Sequence, residues 1–179
     1  MSIGMTKFHH VKIPVTDLAR SAAWYARLLD LVPLREFVEH GTLRGAALRS
    51  PEAGFSFALR DRQYCASQPD LAGFDIAAVH MATRQALAGL AAKCDRLAIG
   101  HGPIQDRGPH EAALDVPDPD GTVLRFIWER ENEETLRFTG LSFDTGKPPA
   151  FYDTPRLPAQ NAAGQAAPIE KGCDRAWRD

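Results

Sequence analysis

The sequence predicts an α+β fold: two tandem βαβββ modules forming a curled sheet around a cavity, followed by a C-terminal extension. Three observations carry this. Two stretches look alike, FHHVKIPVTDLARSAAWYARLLDLVPL from Phe8 and FDIAAVHMATRQALAGLAAKCDRLAIGH from Phe74, and each runs from a strand-like stretch through a capping residue into an amphipathic helix. Each is then followed by three short strand candidates bounded by turn formers. Near residue 135 the apolar periodicity gives way to a segment rich in Pro, Gly and Ala.

Taken in order, the first module spans 6–62. Its strand precedes a helix capped by Thr16 or Asp17, with Leu18, Ala22, Tyr25 and Leu29 on the apolar stripe. REFVEH, LRGAALRS and GFSFALRD are its remaining strands, the last two separated by SPEAG. The second module spans 72–132. Thr83 caps its helix, and Leu87, Leu90, Ala91, Cys94 and Leu97 recur at helical spacing. GPIQDRG, EAALDVPD and TVLRFIWE follow, the last two joined by Asp118–Gly121. In that turn Pro119 presets a dihedral, Asp118 can bond back to the backbone, and Gly121 tolerates positive φ. Trp24 reads as packing. The folded body is 1–134 and the extension 135–179, where Phe143, Phe151, Tyr152 and Leu157 are candidate anchors onto the body or a partner.

Composition narrows the function. The 179 residues are 44% hydrophobic and 25% charged, as in a soluble globular protein and unlike a disordered chain. Lys and Arg number 21 against 23 Asp and Glu, so no basic surplus recommends nucleic acid or an anionic membrane. No apolar run reaches the ~18 residues of a spanning helix, and MSIGMTKFHHVK has no apolar signal core, which places the chain in the cytoplasm as an expectation. Cys65, Cys94 and Cys173 show no CxxC spacing and make neither a disulfide framework nor a thiolate zinc site. No Ser-His-Asp order, phosphate loop or HExxH spacing appears. His40 and His101 read as edge residues facing water, and His110 as a residue near a cavity mouth.

The stretches HHVKIPVTDLARSAAWYARLL, GFDIAAVHMATRQALAGLAAKCDRLAIGHGPIQD and ALDVPDPDGTVLRFIW resemble the vicinal oxygen chelate superfamily, which includes glyoxalase I, bleomycin-resistance proteins and extradiol dioxygenases. The resemblance implies the paired βαβββ fold, a small-molecule cavity between modules, and frequent pairing as a homodimer. It also implies four metal-ligand positions. His10 stands at the first. Ala58 stands where the fourth strand usually gives Glu, Gln or His, Ile76 where the fifth gives His, and Arg125 where the eighth gives Glu. Ala and Ile offer no lone pair, and Arg stays protonated and cannot coordinate. Glu129 lies four strand residues past Arg125, about 13 Å along, His80 is equally far past Ile76, and His9 faces away from His10. No metal or other cofactor is therefore expected, the alternative being a divalent metal in an atypical site.

Strand alternation groups His10 and Lys12, Ser56 and Arg60, and Arg125 on cavity-facing positions. If these faces converge, the five residues edge one cationic pocket for a small anionic molecule, with Arg125 forked onto a carboxylate or phosphate. Clustered cations would leave His10 neutral and able to act as a base. The competing reading pairs Arg125 with an internal Asp or Glu and sends Lys12 to solvent. Three functions follow: a metal-free small-molecule binder; a glyoxalase- or dioxygenase-like enzyme with an atypical metal or His10 as base; or a regulatory protein acting through its extension.

Overall fold

The computed structural model describes residues 8–107, 110–130, 140–142, 150–154 and 156. The chain divides into two compact units, Met1–Glu129 and Arg130–Asp179.

In the first unit, β1 (Val11–Val15) leads to α1 (Leu18–Leu29) through Asp17, whose side chain accepts from the Arg20 N–H. That cap satisfies one of the orphan donors of the first turn. Asp30 ends α1 in the left-handed region. β2 (Val32–Glu39) and β3 (Thr42–Arg49) form a hairpin across His40 and Gly41, both at positive φ as a two-residue turn requires. β4 (Ser56–Asp61) then runs parallel to β1, giving the sheet order β1-β4-β3-β2. The second module repeats the plan with β5 (Asp75–His80), α2 (Arg84–Leu97, capped by Thr83), a two-residue β6 (Gln105–Asp106), β7 (Glu111–Pro117) and β8 (Val123–Glu129), in the order β5-β8-β7-β6. The strands are thus bonded as two separate mixed sheets, one per module. Among the described residues no helix is long and apolar enough to cross a membrane.

One apolar cluster joins the modules. Ile13, Val15, Tyr25, Leu28, Phe57 and Leu59 from the first meet Leu87, Cys94, Leu114, Val116, Leu124 and Phe126 from the second, all essentially buried. Each large side chain so buried stabilises by about 1.5–3 kcal/mol. The helices cover only one face of each sheet.

The turn after β7 fastens the modules. Asp118 Oδ1 accepts from the N–H groups of Asp120 and Thr122, and Oδ2 accepts from the Tyr25 hydroxyl of α1 at 3.0 Å. Burial raises the Asp118 carboxyl above its ordinary value and pushes the Tyr25 phenol far up. Asp120 takes the Thr16 N–H and hydroxyl and the Arg20 guanidinium. Gly121 sits at φ +83, where a side chain would be strained.

The described part of the second unit is an antiparallel pair, β9 (Gly140–Ser142) and β10 (Ala150–Tyr152). No strand period is legible in this segment, because three-residue strands are too short to show one. The Tyr152 ring lies where a Cβ on Gly140 would sit, and the Arg156 guanidinium stacks 4.4 Å from that ring's centroid. Phe151 is exposed. Phe143, Leu157 and Cys173 lie outside the described residues.

Candidate functional site

The face of the first sheet away from α1 holds a hollow of about 600 Å³. Register explains its shape. Lys12 pairs with Ala58, Ala58 with Ala47 and Ala47 with Arg35, so these four form one row across the sheet. The ends of the row are long cations and its middle is two methyl groups. The neighbouring row runs Pro14, Arg60, Gly45, Phe37. Three adjacent small residues thus lower the floor, with Leu34 and Phe37 as apolar walls and His10 and Cys65 also lining the space. Gly45 has a specific reason to lack a side chain: its Cβ would come within 2.9 Å of the Leu59 carbonyl oxygen.

The charges differ in how they are held. Arg60 forks onto Glu39, at 2.6 and 3.0 Å, and Arg44 reaches Glu39 at 3.2 Å. Arg60, then Arg44, hold the Glu39 carboxyl down to about 2. Lys12 and Arg35 have no acidic partner among the described residues. His10 Nδ1 shares a hydrogen bond with His9 Nδ1 at 2.7 Å.

Of the residues expected to converge, His10, Lys12 and Arg60 do line the hollow, and Ser56 is outside its lining. Arg125 does not join them, which corrects the converging-face expectation. Its guanidinium bonds both oxygens of Asp115 on the neighbouring strand β7, each at 2.9 Å, and reaches Asp75 of β5 at 2.5 Å. Arg125 holds the Asp115 carboxyl below the usual carboxylate range. Ile76 packs against the apolar core. A register shift between Asp75 and Ala77 gives the exposed face of β5 to Asp75, Ala78 and His80, opposite Val123, Arg125 and Ile127. The fifth-strand place assigned to Ile76 therefore belongs to Asp75.

These side chains do not fit a divalent metal. Ala58 offers no donor, Arg125 is a cation, and the one carboxylate so placed, Asp75, is bonded to that cation. Among the described residues no group of three His, Cys, Asp or Glu gathers as a metal cage.

Sequence reasoning missed Arg35, Phe37, Glu39 and Gly45. Alternation within REFVEH, which sets Arg35, Phe37 and Glu39 on one face, was the available signal. Cys65 lies at the hollow's wall, with Sγ 3.8 Å from the Asp61 carbonyl oxygen, and Cys94 is buried as expected. His101 braces the end of α2 through Asp95. A second depression of about 560 Å³ lies beside α1 and the end of α2, but Asp118 in its lining is already engaged by three donors.

A model of the glyoxalase/bleomycin resistance protein/dioxygenase superfamily matches residues 7–126. No curated protein matches the chain. Among solved structures, a glyoxylase/bleomycin resistance protein/dioxygenase domain from Frankia sp. EAN1pec is 21% identical, covering 73% of this chain and 97% of that one at a TM-score of 0.57. TnmS3, an antibiotic binding protein from Streptomyces sp. CB03234, is 15% identical, covering 70% and 97% at 0.57. The fosfomycin resistance protein FosX from Listeria monocytogenes is 12% identical, covering 73% and 97% at 0.54. At these identities the likeness is one of fold.

Proposed function

The chain belongs to the glyoxalase/bleomycin resistance protein/dioxygenase superfamily, and from that premise we propose that it binds a small anionic molecule with an apolar body in the hollow over its first sheet, without a metal. The observation that carries this is the row Lys12, Ala58, Ala47, Arg35: two cations without acidic partners among the described residues, separated by a floor of methyl groups. An acid group would be drawn to Lys12 and Arg35 while an apolar ring lay on the alanines against Leu34 and Phe37.

A second reading, an enzyme of the same superfamily, rests on His10. It lines the same hollow, and its Nδ1 is engaged by His9. The protein also acts as a homodimer in this proposal, in keeping with the superfamily and with the exposed apolar pair Val38 and Leu43.

Fluorescence titration with 2-naphthoate, an apolar ring bearing one carboxylate, tests the binding reading. Lys12→Ala and Arg35→Ala should each weaken binding about tenfold, the scale of one charge-assisted contact. If the double variant binds as the native protein does, the hollow is not the site.

A further inference from the structure

Arg44 and Arg60 already hold a carboxylate, and it belongs to the protein. Both Arg60 terminal nitrogens meet the two oxygens of Glu39, and Arg44 adds a third donor. The Arg44 guanidinium lies 4.0 Å from the centroid of the Tyr64 ring, which fixes its plane. Arg60 lies over Gly45, where a Cβ would come 3.7 Å from its Cδ and collide with the Leu59 carbonyl. A planar fork with a third donor is the arrangement that recognises a free carboxylate or phosphate.

Its place gives it meaning. Glu39 and Arg60 line the same hollow as Lys12 and Arg35. The Arg60 row adjoins the Lys12–Arg35 row, two strand residues or about 7 Å away. An acid seated at Lys12 and Arg35 therefore has a second cationic position within reach, and that position is filled. Glu39 is ionised near neutral pH, so the group bonded to the two guanidiniums carries the charge of a ligand acid.

We infer that Arg60, which lines the hollow, and Arg44, which reaches the same carboxylate from beside it, form a second anion seat, and that Glu39 occupies it as a built-in anion, so that the hollow selects singly charged acids over doubly charged ones. This rests on the reading that the hollow binds an anion at Lys12 and Arg35. A second acid group on the ligand meets Glu39 as a like charge. It can reach the two guanidiniums only by displacing a competitor that is tethered to the chain and so present at high effective concentration.

The test compares 2-naphthoate with naphthalene-2,6-dicarboxylate by fluorescence titration at pH 7. The native protein should bind the dicarboxylate no more tightly than the monocarboxylate. Glu39→Gln should bind the dicarboxylate at least about tenfold more tightly than the native protein does, a gain larger than any that 2-naphthoate shows in the same variant. Adding Arg60→Gln to Glu39→Gln should cancel the gain, a result that a structural role for Glu39 would not produce. Glu39→Ala provides a second vacated seat and should show the same gain. The inference is overturned if neither variant gains affinity for the dicarboxylate while 2-naphthoate still binds and still responds to Lys12→Ala. If 2-naphthoate fails to bind the native protein, or ignores Lys12→Ala, the hollow reading falls and this inference falls with it.

Discussion

Lys12 and Arg35 stand at opposite ends of one cross-strand row, three inter-strand spacings or about 14 Å apart, with only Ala58 and Ala47 between them. The side chains that leave this trough open are as decisive as those that charge it. Ala47→Leu should fill the floor between two intact cations. We expect 2-naphthoate affinity to fall at least about tenfold, while stability changes by about 1 kcal/mol or less, because the added atoms enter open space and do not compress a packed core. Titration and urea unfolding on the same sample check both halves. Undiminished affinity would move the binding site elsewhere.

The local signals legible in the sequence were those set by neighbours along the chain. Asp17 and Thr83 cap their helices, and the turn at Asp118–Gly121 closes on its own backbone, because capping and turn chemistry act over three or four residues. What was not legible depends on phase between strands. One register shift in β5 moves Ile76 to the core and Asp75 to the exposed face, and alternation cannot reveal an extra residue. β2 is exposed over almost its whole length, so it offers no buried stripe to fix which face Arg35 and Glu39 share. The partners of Arg60 and Arg125 lie on neighbouring strands, and such pairings appear only once the sheets are assembled.

The bond from Tyr25 to Asp118 gives a prediction about stability. Asp118→Ala strips three donors of their acceptor and leaves the buried Tyr25 hydroxyl without its partner, at a cost of about 2–4 kcal/mol. Asp118→Asn keeps an oxygen for the backbone donors and should cost less. Its pH dependence has a definite sign. Burial raises the Asp118 carboxyl in the folded protein, so its contribution is full below the unfolded value of about 3.9 and is lost as pH rises through the folded value. Asn does not titrate. Relative to the native protein, Asp118→Asn should therefore gain stability as pH climbs from about 4 to 7. Urea midpoints at both pH values decide it, and a relative loss over that range would contradict the raised carboxyl.

Arg125 is spent on structure. Removing it as Arg125→Ala leaves Asp75 and Asp115 close together with no cation between them, which should cost about 1–3 kcal/mol, toward the low end because the group is partly exposed. The lowered Asp115 carboxyl contributes stability above its unfolded value near about 4, and that contribution is lost as pH falls through its folded value. The destabilisation by Arg125→Ala should accordingly shrink on acidification below pH about 4. Affinity for 2-naphthoate should change less than about twofold, since the guanidinium lies outside the hollow's lining. A large loss of affinity would return Arg125 to the binding site.

Val38 and Leu43 face each other across the β2–β3 hairpin and are 62% and 44% exposed. Among the described residues β2 is also the outer strand of its sheet, with no strand paired on its far side. An apolar pair on an open edge is a surface that a second copy of the chain would cover, and Lys is the residue that blunts such an edge. Val38→Lys with Leu43→Lys should therefore convert a dimer to a monomer in light scattering, with a fold stability change of about 0.5 kcal/mol or less at these exposed positions. The sheet's other face should keep its 2-naphthoate affinity within about threefold if the hollow is complete in one chain. A larger loss on dissociation would mean that the second copy contributes to the site. A native protein that is already monomeric would remove this role from the pair.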